Sequence, residues 1–437
     1  MSVADAFRSF LGNIKITNGL TISTRYGEIT AALNKKFRDT ESKTANSLQV
    51  GSYGRHTAIK GVSDLDMLYI MPAGTWSNYK DGGQYRLLSD CAAAIEARYP
   101  STTVKVDRLV VRVLYLNFHI EVQPVFEQSD SSYKYPDSYK EGSWKITKPR
   151  DELKAMMEFN AQKNDNLRRL ARMARAWKNK HGVAMGGLLI DTLAYNFLKQ
   201  TDAYDGKSYL YYDWMSRDFF AFLMDQPKQD YYAALGSGQR VKVKKDFRRK
   251  AKKAYELCLK AIEAETQDYR NDRWRKVFGS NFPPRPVATT AADAVMESVL
   301  KSEGYEARNT ERFIEDMYPI DIRFDIELEC EVKQDGFRPS LLRSLLAASR
   351  VLQARKDLKF FVADTDVPQP FTLLWKVLNR GPTAVRRDCI RGEIVPDNGR
   401  LEKIERTNFR GDHIVECYAV KDGVVVAKDR IHVPITE

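Results

Sequence analysis

Gly51-Ser52-Tyr53-Gly54-Arg55-His56-Thr57-Ala58-Ile59-Lys60-Gly61-Val62-Ser63-Asp64-Leu65-Asp66-Met67-Leu68-Tyr69-Ile70 is the stretch on which the reading of this chain turns. It opens on Gly-Ser, passes through a basic loop punctuated by glycines, and ends in Asp-Leu-Asp followed by apolar residues. Along a strand, residues i and i+2 share a face. Asp64 and Asp66 therefore point the same way, and Leu65 faces the core. Two carboxylates held close together repel unless cations sit between them. Hard divalent ions with oxygen ligands answer that need, and Mg2+ is commonly held by carboxylates together with substrate phosphates. The Gly-Ser turn upstream can offer backbone N–H groups and a hydroxyl to a phosphate. Either piece alone is common on ordinary surfaces; in this order they favour a phosphate-handling metal site.

Working outward, Leu48-Gln49-Val50 reads as a short strand entering the turn, and Pro72 ends the strand that carries the two aspartates. Residues 5–13 and 24–38 carry apolar positions at helical spacing, with cap candidates for the second helix from Thr21 to Thr24. Tyr85 to Arg98 is an amphipathic helix, followed by β-rich segments over Thr103–Val106 and Leu109–Leu114. The next strand, Leu116–Val122, is expected to close at Pro124. It contains Glu121, a charge inside an apolar run, which is expensive unless paired. An ion pair would satisfy it; beside Asp64 and Asp66, a metal-facing role fits better.

Residues 128–150 are polar, without clear periodicity, and read as a long loop. Lys154 to Lys180 reads as helical, with Leu167, Leu170, Met173, Ala174 and Trp177 on its apolar stripe. Arg168, Arg169, Arg172, Arg175 and Lys178 take the other faces, ordinarily a solvated surface unless the helix backs onto a nucleotide. Helices are also expected over Leu188–Lys199, Tyr209–Asp225 and Val243–Glu265. The prolines between Asn281 and Pro286 mark a linker. Beyond it the pattern turns to β: Ile320–Val332 alternates, Leu341–Ala354 reads as a helix, and four strand-like runs follow, with Asp422-Gly423 as a hairpin turn.

At 437 residues the chain is too long for one ordinary core. The expected domains are 1–150 and 151–285, a linker over 286–304, and 305–437. There is no apolar run near the roughly 18 residues of a membrane span, and Met1-Ser2-Val3-Ala4-Asp5-Ala6-Phe7 lacks the basic start of a signal peptide. A soluble cytoplasmic protein is expected. The five cysteines have no CxxC spacing and read as reduced thiols. A net charge of +12 suits an anionic partner, with nucleotide phosphates favoured over long nucleic acid.

These residues resemble the DNA polymerase β-type nucleotidyltransferase superfamily, whose pattern is Gly-Ser, a loop, an Asp-x-Asp strand and a third acid on a neighbouring strand. Within it the chain looks like the cyclic GMP-AMP synthase/DncV-like nucleotidyltransferases of bacterial antiphage signalling. The supporting stretches are Leu48 to Arg55, Thr57-Ala58-Ile59, Ile120-Glu121-Val122-Gln123-Pro124 and the helix ending Ala174-Arg175-Ala176-Trp177-Lys178. The C-terminal region resembles the adenylyl/guanylyl cyclase and SMODS C-terminal sensor (AGS-C) domain, through Phe371 to Gly381, Ile390-Arg391-Gly392, Gly411 to Glu416 and Val426 to Asp429. Two departures stand out: Glu121 where the family usually has Asp, and Gly186-Gly187 where many relatives have a Ser-rich turn.

The resemblance implies an α+β fold: a polymerase β-type core with a helical second lobe, plus a mostly β C-terminal domain. It implies two Mg2+ ions, or Mn2+, on Asp64, Asp66 and Glu121. The donor triphosphate would lie on Gly51, Ser52 and Tyr53, with Arg172, Arg175 or Lys178 at its tail. NTP substrates, ATP among them, would be condensed with release of pyrophosphate into a cyclic di- or trinucleotide that switches on a downstream effector. Two other outcomes stay open: a nucleotidyltransferase that modifies RNA or protein, and a catalytically weak nucleotide sensor.

Overall fold

The computed structural model describes residues 2–284 apart from 63, 117, 265 and 266. In the C-terminal region it describes residues 312, 314–333, 339–347, 352–354, 356–379, 384, 387, 389, 391–407 and 409–436. The expected linker over 286–304 lies outside the described residues. The chain forms two compact units. The first comprises Met1–Lys180 with Met185–Arg285, and the second His181–Ala184 with Pro286–Glu437.

The first unit opens with helices α1 (Val3–Asn13) and α2 (Gly19–Arg38). Ser2 caps α1 through a capping box with Asp5. α2 starts ahead of the expected Thr caps, at Asn18, which makes no side-chain cap bond. Next come β1 (Ser47–Gln49), the short helix α3 (Gly51–Gly54), β2 (Asp64–Ile70), α4 (Trp76–Tyr79) and α5 (Gln84–Arg98). Strands β3 (Thr103–Val106), β4 (Val111–Leu114), β5 (His119–Glu127), β6 (Tyr133–Asp137) and β7 (Ser143–Thr147) complete one sheet. Its order is β1-β2-β5-β4-β3, with β6 pairing β5 and β7. β2 and β5 run parallel; the other pairs are antiparallel. Ile29 and Leu33 of α2 and Leu87 and Ile95 of α5 pack on Leu65, Met67, Ile120 and Val122 of the sheet. This covered face leaves Asp64 and Asp66 on the other.

Two expectations here need correction. β5 does not stop at Pro124 but runs to Glu127. Val125 O accepts Met71 N from the β2 side, so the backbone of Pro124 faces the opposite side by strand alternation. There β4 pairing has ended at Val122 and β6 pairing begins at Phe126, so the missing proline N–H costs no ladder bond. Residues 128–150 are not one loop but contain the β6–β7 hairpin. Buried Asp137 closes it, accepting from Arg108 and Lys145; the Arg108 guanidinium leads in holding its carboxyl well below the usual range, against the opposing cost of burial.

The helical part comprises α6 (Pro149–Gln162), α7 (Asn166–His181), α8 (Gly187–Lys199), α9 (Tyr212–Met224), the hairpin β8 (Tyr231–Ala233) and β9 (Arg240–Lys242), α10 (Arg248–Ile262) and α11 (Gln267–Phe278). The stretch expected as one helix over Lys154–Lys180 is broken by Asn164 and Asp165, both at positive φ (51° and 60°), a conformation these two residue types tolerate. Asn160 bridges the break, donating to Asp165 Oδ1 and accepting from Arg168 N. α10 is shorter than Val243–Glu265: residues 243–247 form a non-helical connection after β9, and the helix ends at Ile262. Fully buried Phe7 of α1 meets Trp274 and Phe282 edge-on, with centroids 5.1 and 5.2 Å away.

In the second unit, α12 (Ile314–Met317) precedes β10 (Ile326–Lys333). β11 (Ser340–Leu341), α13 (Leu342–Ala347) and β12 (Leu352–Gln353) follow. Then come β13 (Asp357–Thr365), β14 (Thr372–Leu378), β15 (Arg391–Pro396), β16 (Glu402–Arg406), β17 (Gly411–Lys421) and β18 (Val424–Thr436). They form two sheets, β11-β10-β13-β16 and β12-β18-β17-β14-β15. One apolar core joins them, with Leu328, Cys330 and Phe360 from the first and Trp375, Cys417 and Val433 from the second. The expected β domain is thus a sandwich, though β10 starts later than Ile320. The helix expected over Leu341–Ala354 ends, within the described residues, at Ala347, and Leu352 pairs with Ile435 of β18.

Replacing Phe7 with Ala removes a fully buried ring and should cost about 3–5 kcal/mol of stability. Urea unfolding followed by tryptophan fluorescence checks this.

Candidate active site

Asp64 and Asp66 open β2, where burial alternates: both are half-buried, while Leu65 and Met67 are buried. The parallel register sets Asp66 beside Glu121 and Asp64 beside His119. Among the described residues, Asp64, Asp66 and Glu121 form a group whose carboxylate oxygens lie within 4.8 Å of one another. Three hard oxygen donors so close suit a small divalent cation and fit no soft metal.

Glu121 has neighbours that the sequence reading did not single out. β4 brings Arg112 opposite it, with Nε 3.5 Å from Glu121 Oε1. His119 Nε2 is also 3.5 Å from that oxygen. Arg112 Nη2, which can only donate, lies 3.1 Å from His119 Nε2, so that nitrogen accepts. Arg112 thus braces both residues of β5. The alternation Val111-Arg112-Val113 against His119-Ile120-Glu121 was the available signal.

The Gly-Ser turn sits against this cluster. Gly51 has φ +63°, and a Cβ there would fall 1.8 Å from Asp66 Oδ2, so only glycine fits. At Gly54 a Cβ would meet Gln49 O at 2.4 Å. Val50 N donates to Asp66 O at 3.0 Å, tying the turn to β2. The carbonyl of Ser52 accepts from the N–H groups of both Thr57 and Ala58 (2.9 and 3.1 Å), which winds the loop back on itself. Ser52 and Tyr53 are half-buried at its head.

The basic residues expected to hold phosphate are differently employed. Arg175 is only 6% exposed and donates to both oxygens of Asp191 (2.5 and 3.0 Å) and to Gly187 O. Asp191, fully buried, also accepts from Arg55 Nε (2.8 Å) and Thr57 Oγ1 (3.0 Å). Burial pushes the Asp191 carboxyl up, but the Arg175 and Arg55 guanidiniums outweigh it and hold it below the usual range. Arg55 reaches Glu152 as well, whose carboxyl burial pushes up against that cation. Arg172 donates twice to His56 O (3.1 and 2.8 Å) and Arg168 to Arg55 O (3.2 Å). Lys178 is buried. The face read as ordinarily solvated therefore grips the loop between the Gly-Ser turn and the aspartates. Arg55, Thr57, Glu152 and Asp191 are the members of this grip that sequence reasoning missed; Asp191 in the first turns of α8 was its one visible sign.

Gly51→Ala should be destabilising by more than about 1 kcal/mol and should displace Asp66, read as weaker divalent-ion binding in calorimetry. Asp191→Asn uncouples two buried guanidiniums and should cost about 3–5 kcal/mol. Since the Asp191 carboxyl is held below its ordinary value, its contribution is present above about pH 4 and lost as pH falls through the depressed value. Urea midpoints measured from pH 7 downward should fall less steeply in Asp191→Asn than in the parent.

No curated protein matches the chain. Residues 1–160 match the Second Messenger Oligonucleotide or Dinucleotide Synthetase (SMODS) domain, and residues 308–436 the Adenylyl/Guanylyl and SMODS C-terminal sensor domain. Among solved structures, the chain is similar to Escherichia coli MS115-1 CdnC in a complex with HORMA-deltaN, at 14% identity over 64% of this chain and 98% of that one, with a TM-score of 0.49. Vibrio cholerae DncV without ligand gives 13% identity over 55% and 69% of the two chains, with a TM-score of 0.45. Its 3'-deoxy ATP-bound form gives 14%, 55%, 69% and 0.46. With a synthetase domain at its N-terminal end and a sensor domain at its C-terminal end, the chain belongs to the cyclic GMP-AMP synthase/DncV-like nucleotidyltransferases.

Proposed function

We propose that the protein joins nucleoside triphosphates, ATP among them, into a cyclic di- or trinucleotide that activates an effector in antiphage (CBASS) signalling. The observation that carries this reading is the convergence of Asp64, Asp66 and Glu121 beside a Gly-Ser turn that admits no side chain at Gly51.

Phosphoryl transfer asks chiefly for positioning and charge neutralisation. The three carboxylates would hold two Mg2+ ions, or Mn2+, whose part when bound is to neutralise the triphosphate and favour the ionised ribose hydroxyl. Asp64 and Asp66 would be the ligands common to both ions; Glu121, braced by Arg112, would aid removal of the hydroxyl proton. Ser52 Oγ, with the backbone from Gly51 to Tyr53, orients the donor triphosphate. The ribose oxygen attacks the α-phosphorus; a new P–O bond forms, the α–β anhydride bond breaks, and pyrophosphate leaves with its electron pair. A second such step within the linear product closes the ring.

Of the basic residues, Arg172 is assigned to the triphosphate tail through the His56 loop that it already holds. Arg175 and Lys178 stay in the proposal as residues that shape the cleft; Arg175 acts through Asp191 as a positioning residue.

Incubation with labelled NTPs and Mg2+ should yield pyrophosphate and a phosphatase-resistant product. EDTA, or Asp64→Ala with Asp66→Ala, should bring product to background while circular dichroism stays unchanged. Pyrophosphate release that needs added RNA or protein would replace this reading with transfer to a macromolecule. Failure to bind Mg2+ with NTP would leave a nucleotide sensor.

A further inference from the structure

One end of the C-terminal sandwich is open. A cavity of about 660 Å³ lies there, lined by both sheets. It takes the start of β13, the end of β16, the end of β14, and the starts of β15 and β17, with the end of β18. In an antiparallel sandwich those are all the same end. Elsewhere the two inner faces interdigitate; here they part and leave a space within the size range of small-molecule sites.

The lining is graded. Its floor is apolar: Leu358, Phe360, Val377, Val415, Val433 and Ile435, all six in the core that joins the sheets. Its mouth is polar and basic, with three arginines against two acids. Arg391 forms a two-bond pair with Glu405 (2.6 and 3.0 Å). Arg406 lies 3.6 Å from Asp357. Arg387 lies over the Phe409 ring at 5.6 Å, and that ring meets the imidazole of His413 edge-on at 5.1 Å. The surplus charge at the mouth is therefore positive, and it stands beside an aromatic surface. An apolar floor with a phenyl ring suits a flat heterocycle. A few polar groups at the wall, Asn379 and His413 among them, suit the edge of that heterocycle. An arginine-rich mouth suits a phosphate.

We propose that this cavity is a nucleotide-binding site separate from the Asp64–Asp66–Glu121 cluster, with the base against the apolar floor and the phosphate at the mouth near Arg387. The source of the nucleotide is either the cellular mononucleotide pool or a cyclic oligonucleotide, and the chemistry recognised is the same.

The test uses the full chain carrying Asp64→Asn and Asp66→Asn, in EDTA, so that binding is read without turnover. Equilibrium dialysis is run against AMP, GMP, CMP, UMP, cyclic dinucleotides and the matching nucleosides. At least one nucleotide should bind saturably. Arg387→Glu should weaken it by at least about tenfold, since a like charge replaces the partner of the phosphate. Val377→Phe fills the cavity and should abolish binding while the melting temperature holds or rises. Mononucleotide against cyclic dinucleotide affinity decides the source. Absence of saturable binding by any of these nucleotides overturns the proposal. So does binding that both variants leave unchanged, or nucleosides that bind as tightly as their phosphates. Because the chain is inactive throughout, a protein that makes no cyclic product in the synthesis assay fails that assay alone.

Discussion

A single buried carboxylate, Asp191, organises the loop side of the first unit. It takes hydrogen bonds from Arg175 on α7, from Arg55 at the end of α3 and from Thr57 in the loop. In a fully buried setting such a charge is tolerable only with partners of opposite sign and well-made hydrogen bonds. Meeting that condition has a structural result: the loop leaving the Gly-Ser turn is fastened to two helices at once. Arg168 and Arg172 add bonds to the loop carbonyls at 55 and 56. The turn that must lie against Asp66 is thereby held from behind by cations and from the front by the Gly51 contact.

The carboxylate cluster depends on a different constraint, the parallel pairing of β2 with β5. Parallel register fixes Asp66 beside Glu121 with no freedom to slip, because a shift of one residue would turn Leu65 and Ile120 out of the core. A third antiparallel strand then supplies Arg112. The sheet thus delivers three acids and one balancing cation to the same face.

Much of this was legible in the sequence. Asp-x-Asp on an apolar strand has a period of two that any sheet must respect, and Glu121 stood out because a charge interrupted an apolar run. Arg175 was visible only as one cation on an amphipathic helix. Its partner lies on another helix, and no periodicity encodes a pairing of that kind. The β6–β7 hairpin was hidden because Pro136 and its polar residues mask the alternation of Tyr133 and Tyr135. The break between α6 and α7 was written in Lys163-Asn164-Asp165, but its helix-like neighbours outvoted it. In the C-terminal unit the alternation gave strands and their faces; the opening at one end of the sandwich arises from how the two sheets part, which single-strand patterns do not carry.

The long interval between the paired strands has a consequence for how the protein is made. On the ribosome, Asp64 and Asp66 emerge well before Glu121, and Asp191 follows later still. Pairings distant in sequence pay loop-closure entropy before they gain contacts. By that measure the acidic centre, closed by Asp66 beside Glu121, comes ahead of the Asp191 contacts and of the Phe7–Trp274 packing, whose members lie further apart in sequence, and a chain interrupted before β5 carries two acids without the third. The grip on the Gly-Ser loop, in turn, exists only once the helix that bears Asp191 has been made.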